Sequence, residues 1–194
     1  MKVAFVHDWL VTYRGGEKVL NTLLELYPQA PIFTLFYDSR FMPDSIKQRK
    51  IITPLGLNLF KAIRKALLPI LPTIIESFDF SDFELIISTS SCVAKGIIPP
   101  PWAKHICDLH SPMRYIWDQR YEYINDYKKF WPLYILASHL SSKLRIWDIT
   151  SSTRVDKFIV NSSFVAQRVK KYYNKPSIVI HPPIELDIFK PSPK

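Results

Sequence analysis

The stretch that decides the fold is residues 3–24, VAFVHDWLVTYRGGEKVLNTLL, near the start of this 194-residue chain. Residues 3–6 are apolar and rich in β-branched and aromatic side chains, which is typical of a buried strand. After a polar loop that contains Gly15 and Gly16, apolar residues recur at three- and four-residue spacing over residues 19–27, which predicts a helix. The stretch therefore predicts a strand, a glycine loop and a helix in succession.

The same alternation continues along the chain. Ser162 can cap a helix over residues 163–173, and an aromatic-rich stretch at residues 126–149 predicts a long helix that Pro132 starts or interrupts. Alternating strands and helices imply an α/β fold with a mostly parallel sheet covered on both faces, over a single domain of residues 1–181. The further apolar runs that predict strands are residues 32–37, 84–88, 104–108, 157–160 and 177–181.

Composition excludes several classes of protein. With only 4 Gly, the chain holds neither a G-x-G-x-x-G dinucleotide fingerprint nor a phosphate-binding G-x-x-x-x-G-K-[ST] loop. Its two cysteines predict no disulfide framework or zinc ribbon, and its singly scattered histidines predict no metal site. The formal net charge of +9 favours anionic partners, but no DNA- or RNA-binding signature accompanies it, so we expect no nucleic acid partner.

Targeting and membrane signals are weak. The apolar run at residues 3–6 is shorter than the signal-peptide core of about 7 to 15 residues. The run at residues 66–75 is broken by Pro69 and Pro72, and a spanning helix needs about 20 residues. We therefore expect a cytoplasmic protein. The proline-rich residues 182–194 predict a linker.

A basic amphipathic segment covers residues 57–75, where apolar side chains alternate with Lys61, Arg64 and Lys65. Such a segment can lie in an anionic membrane interface, with these three cations facing the lipid headgroups. A surface helix that packs on the core explains the same pattern. Both interpretations stay open at the level of sequence.

Three places could bind a ligand. The Gly15-Gly16 pair between a strand and a helix allows close approach of an anion to backbone N–H groups, although a tight turn also explains it. His110 and Arg114 follow a predicted strand, where α/β sheets bind ligands, and could contact sugar hydroxyls or phosphate. Arg154 flanks another strand, but it can simply pair with Asp156 or another carboxylate.

Four ordered motifs, taken together, resemble family 4 glycosyltransferases. They are Asp8-Trp9 with Gly15-Gly16-Glu17-Lys18, then HSPMRYIWD at residues 110–118, RVDKFIVNS at residues 154–162, and HPPIELDIF at residues 181–189. The resemblance implies the GT-B fold, in which two Rossmann-like domains face each other across a cleft. It further implies that this chain is the N-terminal, acceptor-binding half and that a C-terminal donor-binding domain is absent from it.

The resemblance also assigns roles to residues. It implies that Gly15 and Gly16 approach the donor diphosphate and that His110 is the catalytic residue beside the transferred sugar. Arg114 is implied as a second contact, and Asp8 and Arg154 are further candidates for sugar or acceptor contacts.

The reaction implied is transfer of a sugar from a GDP- or UDP-sugar, with retention and without a metal or other cofactor. The motifs look most like those of polysaccharide mannosyltransferases or related enzymes, whose acceptor is a glycan or a lipid-linked sugar. The donor domain would be supplied in cis or in trans, and we expect the isolated chain to be inactive. The alternative is a non-catalytic acceptor-binding or membrane-docking subunit of a split glycosyltransferase.

Overall fold

A computed structural model describes residues 1–64 and 66–183, except for the side chains of residues 126 and 127. Its sheet has seven parallel strands in the order β3-β2-β1-β4-β5-β6-β7. The mostly parallel α/β sheet predicted from the sequence is confirmed. The strands are β1 (Val3–His7), β2 (Ile32–Thr34), β3 (Ile51–Ile52), β4 (Leu85–Ser90), β5 (Lys104–Leu109), β6 (Lys157–Val160) and β7 (Ser177–Val179).

Six helices connect these strands in the described part of the chain, with short 3-10 turns between them. Pro132 lies in the first turn of the long helix and so starts it, since the missing N–H of proline costs nothing there. Ser162 caps the last helix, and its Oγ accepts a hydrogen bond of 3.3 Å from the N–H of Val165. The helices are α1 (Gly15–Leu26), α2 (Asp44–Lys47), α3 (Leu71–Glu76), α4 (Arg120–Asn125), α5 (Trp131–Ser152) and α6 (Ser163–Tyr173).

The central strands β1 and β4 are buried along their whole length. Alternate side chains of β1 enter two different clusters, with Ala4 and Val6 in one and Val3 and Phe5 in the other. Burial on both faces explains why these strands read as continuous apolar runs. The sheet is therefore the middle layer of the domain.

The basic segment at residues 57–75 does not form one amphipathic helix. It divides into a 3-10 turn at Leu57–Ile63 and the short helix α3, with Pro69 just before α3. The side chains of Leu71 and Ile75 are buried in the core, while those of Leu59 and Phe60 are exposed. Core packing thus explains the second half of the pattern and leaves only the first half facing solvent. Lys65 lies outside the described residues.

The predicted linker falls largely outside the described residues, which end at residue 183. The predicted strand at residues 177–181 is shorter in the structure, where β7 ends at Val179.

Candidate functional site

An open cleft of about 1770 Å³ lies over the carboxyl ends of the strands. The sheet order reverses between β1 and β4, whose adjoining ends at His7 and Ser90 form a topological switch point. In open parallel sheets, the crevice at this point is where ligands bind. Gly15, Gly16 and His110 all line the cleft, so three of the sequence-predicted site residues share one surface.

Gly16 and His110 meet directly at the floor of the cleft. A Cβ added to Gly16 would lie 3.2 Å from His110 Nε2 and 3.9 Å from His7 Cε1. The absent side chain therefore lets the first turn of α1 approach both imidazole rings. A Cβ on Gly15 would meet nothing within 4 Å, so that position faces open space. The free N–H groups of a helix start favour an anion in the space above it.

A row of polar side chains continues the floor across three strands. The register pairs His7 of β1 with Thr89 of β4, and Thr89 with Asp108 of β5. His7 Nδ1 lies 2.5 Å from Thr89 Oγ1, and Asp108 Oδ2 lies 3.9 Å from His110 Nδ1. Burial lowers the pKa of His7. Burial raises the pKa of Asp108, while His110 lowers it.

His7 and Asp108 were not predicted as site residues. The signal that predicts them is their position at the carboxyl ends of two buried strands, where ligands bind in α/β sheets. The same rule selects His110.

Asp8 lies beside this floor but is engaged in the backbone. Its carboxylate is buried and accepts hydrogen bonds from four consecutive N–H groups, at distances of 2.6 to 2.9 Å. These bonds fix the loop that follows β4 to the end of β1. The structure thus gives Asp8 a structural role, and the sugar contact predicted for it stays a prediction. The four donors are Ser91, Cys92, Val93 and Ala94.

The loop after His110 is held from behind by α6. The buried Arg168 donates to Ser111 Oγ at 2.6 Å and to Asp118 Oδ1 at 2.5 Å. Trp117 donates to Asp148 Oδ2 of α5 at 2.7 Å. These bonds leave Arg114 exposed on the cleft side of the loop, where it can reach a bound anion.

Arg154 does not join the site. It precedes β6, at the amino-terminal edge of the parallel sheet, whereas the cleft lies at the carboxyl edge. Its Nη1 donates to Glu76 Oε1 and to the carbonyl of Gly96, both at 2.7 Å. Arg154, which follows α5, therefore links that segment to α3 and to the 3-10 turn at Gly96. Its carboxylate partner is Glu76 and not the neighbouring Asp156.

One wall of the cleft is apolar. It comes from one face of α5 together with the segment before α3, so that aliphatic side chains flank the polar floor. A ligand with one polar and one apolar part suits such a surface, because its polar groups can meet the floor while its apolar part meets the wall. The wall residues include Leu68, Pro69, Leu133, Leu136, Leu140 and Leu144.

No cluster of three or more His, Cys, Asp or Glu side chains within residues 1–64 and 66–183 could hold an ion. Cys92 and Cys107 are free and buried, and burial raises the pKa of the Cys107 thiol to about 12. Neither thiol is poised as a nucleophile. No helix in the described residues combines the length and apolar character needed to cross a membrane.

The fold is that of a Rossmann-like half of a GT-B glycosyltransferase. One solved structure that shows this is described as "lipopolysaccharide outer core galactosyltransferase WaaB apo form", with a TM-score of 0.51 and 10% sequence identity. The match covers 95% of this chain and 46% of that chain, so this chain spans less than half its length. No protein-family model and no curated protein matches the sequence.

Proposed function

We propose that this chain is the acceptor-binding half of a retaining glycosyltransferase. The observation that carries the proposal is the contact between the start of α1 at Gly16 and His110, at the switch point of a GT-B-like sheet. A helix start supplies N–H groups for an anion, and the adjacent imidazole supplies a hydrogen-bonding group for a sugar. The site therefore suits a sugar joined to a diphosphate.

In the proposed reaction, a sugar passes from a GDP- or UDP-sugar to a glycan or lipid-linked acceptor in polysaccharide synthesis. The N–H groups around Gly15 and Gly16 and the exposed cation of Arg114 stabilise the departing diphosphate, which makes a metal unnecessary. His110 contacts the transferred sugar, for which mannose is our first candidate. A second Rossmann-like domain, in cis or in trans, provides the opposite wall of the cleft and most of the donor site.

The test is a His110→Ala variant in the protein completed by its donor domain. We expect turnover of a GDP- or UDP-sugar to fall tenfold or more, equivalent to about 1.4 kcal/mol in the barrier. The matched control is His139→Ala, because His139 is exposed on α5 and does not line the cleft. Nucleotide release across a panel of donors measures both.

Unchanged turnover in a folded His110→Ala variant would remove His110 from the mechanism. Robust transfer by the 194-residue chain alone would show that no second domain is needed.

The second candidate function is membrane docking, as a peripheral protein of the cytoplasmic face or as the docking subunit of a split enzyme. A group of exposed apolar side chains lies on two elements, the 3-10 turn at Leu57–Ile63 and the first turns of α5 with the residue before it. Aromatic side chains on a basic protein suit an anionic lipid surface. The group comprises Leu59, Phe60, Ile63, Phe130, Trp131 and Leu136.

The cations predicted to face the membrane differ in their partners. Lys61 Nζ forms an ion pair of 2.7 Å with Asp38. Hydrogen bonds from Arg40 and Lys61 hold the pKa of the Asp38 carboxyl well below its usual range. Arg64 Nη1 donates to the carbonyl of Lys61 at 2.9 Å and lies at the border of the cleft. Arg64 is therefore the better candidate for a lipid phosphate.

A further inference from the structure

One acidic and one basic side chain, those of Asp108 and His110, lie next to each other at the carboxyl end of β5. Asp108 is the next-to-last residue of β5 and His110 follows two residues later. Because side chains alternate along a strand, both point to the same face of the sheet. Asp108 Oδ2 and His110 Nδ1 are 3.9 Å apart, and their side chains are only 10% and 17% exposed. A hydrogen bond between the two atoms requires the imidazole to turn until their separation falls to about 3.2 Å or less.

Two buried polar atoms of this pair have no partner among the described residues. They are Asp108 Oδ2 and His110 Nε2. Buried polar atoms in native proteins are nearly always hydrogen-bonded, so each of these two atoms needs a partner, which can be a neighbouring side chain, a water molecule or a bound ligand. Nε2 is the atom that a Cβ on Gly16 would approach to 3.2 Å. The unpaired nitrogen therefore faces the helix start at the floor of the cleft.

The polar side chains of Thr89 and Glu17, which lie near this pair, already have other hydrogen-bond partners. Thr89, the register partner of Asp108 on β4, has its hydroxyl against His7 Nδ1 at 2.5 Å. The Glu17 carboxylate on α1 accepts from the N–H of Arg14 at 2.9 Å and from the Thr12 hydroxyl at 3.3 Å. Of the ionisable groups around the imidazole, Asp108 is thus the one whose acceptor atom is unpaired and faces Nδ1.

A neutral imidazole carries one proton, and the partner of one nitrogen decides the state of the other. A carboxylate can only accept a hydrogen bond, so Asp108 favours the proton on Nδ1 and leaves the lone pair on Nε2. We propose that Asp108 is a positioning residue that holds His110 in the Nδ1–H tautomer, with Nε2 accepting a hydrogen bond from a hydroxyl of the transferred sugar. The identity of that hydroxyl rests on the proposed transferase function, whereas the tautomer does not.

Two-bond ¹H–¹⁵N correlation spectra of the ¹⁵N-histidine-labelled chain test this, at a pH where the imidazoles are neutral. The His110 signals are assigned by their loss in His110→Gln. We expect the wild-type chain to show His110 with a protonated Nδ1 and a bare Nε2. Asp108→Val, which suits a strand and removes the acceptor, should reverse this preference. Asp82→Asn, an exposed carboxylate outside the cleft, is the charge-matched control and should leave it unchanged.

A wild-type His110 protonated on Nε2 would overturn the proposal without any variant. An unchanged tautomer in Asp108→Val, or in Asp108→Ala should the valine variant not fold, would overturn it as well. Because the spectra need no substrate, such a failure leaves the transferase proposal standing. Conversely, the expected tautomer in a protein that transfers no sugar would refute the transferase function alone.

Discussion

At Gly16, a helix meets a histidine with no side chain between them. Among the glycines of the described residues, Gly56 has a positive φ angle and Gly16 does not. The requirement at Gly16 is therefore space beside His110 and not backbone freedom. Space of this kind is what a ligand-binding floor needs, because a methyl group there would occupy the position proposed for a sugar hydroxyl.

The first prediction concerns Gly16→Ala in the completed protein. The new Cβ lies 3.2 Å from His110 Nε2, so the imidazole must move by a few tenths of an ångström. We expect transferase activity to fall at least tenfold while the free energy of unfolding changes by no more than about 1 kcal/mol, because the gain in helix propensity from Ala is at most of that size and the displacement of the imidazole opposes it. Gly15→Ala is the comparison, since its Cβ meets nothing. An equal loss in both variants would contradict the proposed contact.

Single residues also show where prediction from sequence stopped. Gly16 and His110 were found because each lies in a local pattern, a strand followed by a loop. The role proposed for Asp108 depends on its register with the neighbouring strand and on its distance from His110. Arg154 forms a hydrogen bond with Glu76, which lies 78 positions earlier in the chain. Strand register and distant partners are set by the packing of the whole sheet, which a one-dimensional pattern does not contain.

Among the elements, the link between β1 and the loop after β4 depends on one carboxylate. We predict that Asp8→Asn lowers the free energy of unfolding by about 3 kcal/mol, because hydrogen bonds to a charged acceptor contribute about 1.5 to 3 kcal/mol each. An asparagine also turns an NH₂ group towards N–H donors of the loop. Urea unfolding followed by circular dichroism measures the change.

The control for Asp8→Asn is Asp82→Asn, whose side chain is 82% exposed and should change stability by no more than about 0.5 kcal/mol. Equal urea midpoints for the two variants would show that the Asp8 bonds contribute little.

The elements themselves were predicted unevenly. Six of the strands and the helices α1, α5 and α6 follow from periodicity and capping, because each is long or strongly apolar. β3 has two residues, which is too short for any alternation to be read. The segment at residues 57–75 has helical spacing, yet Pro69 and the burial of Leu71 and Ile75 divide it into two short elements.

At the scale of the whole molecule, exposed apolar side chains on the 3-10 turn at Leu57–Ile63 and on α5 occur on a protein of charge +9. We predict that the chain floats with vesicles containing an anionic phospholipid and not with neutral vesicles. The double variant Phe60→Ser with Trp131→Ser should lose this binding, since both side chains are at least half exposed. Arg64→Gln should weaken it.

The matched control for flotation is Trp102→Ser, an exposed aromatic residue that lies outside the 3-10 turn and α5, which carry the proposed docking surface. Flotation that persists unchanged in the double variant would exclude this surface as the docking site.

The strand order also determines when this protein can acquire its site during synthesis. β1 is synthesised before β4, whose partner residue for His7 lies 82 positions later, an interval of roughly 4 to 16 s at about 5 to 20 residues per second. Until then, one edge of β1, whose first four residues are apolar, has no neighbour, which is a condition that chaperones recognise. The floor itself also needs His110, which follows Thr89 by 21 positions, so it is complete only after that residue has been synthesised. Binding competence thus arises only after β1, β4 and the end of β5 have all been synthesised.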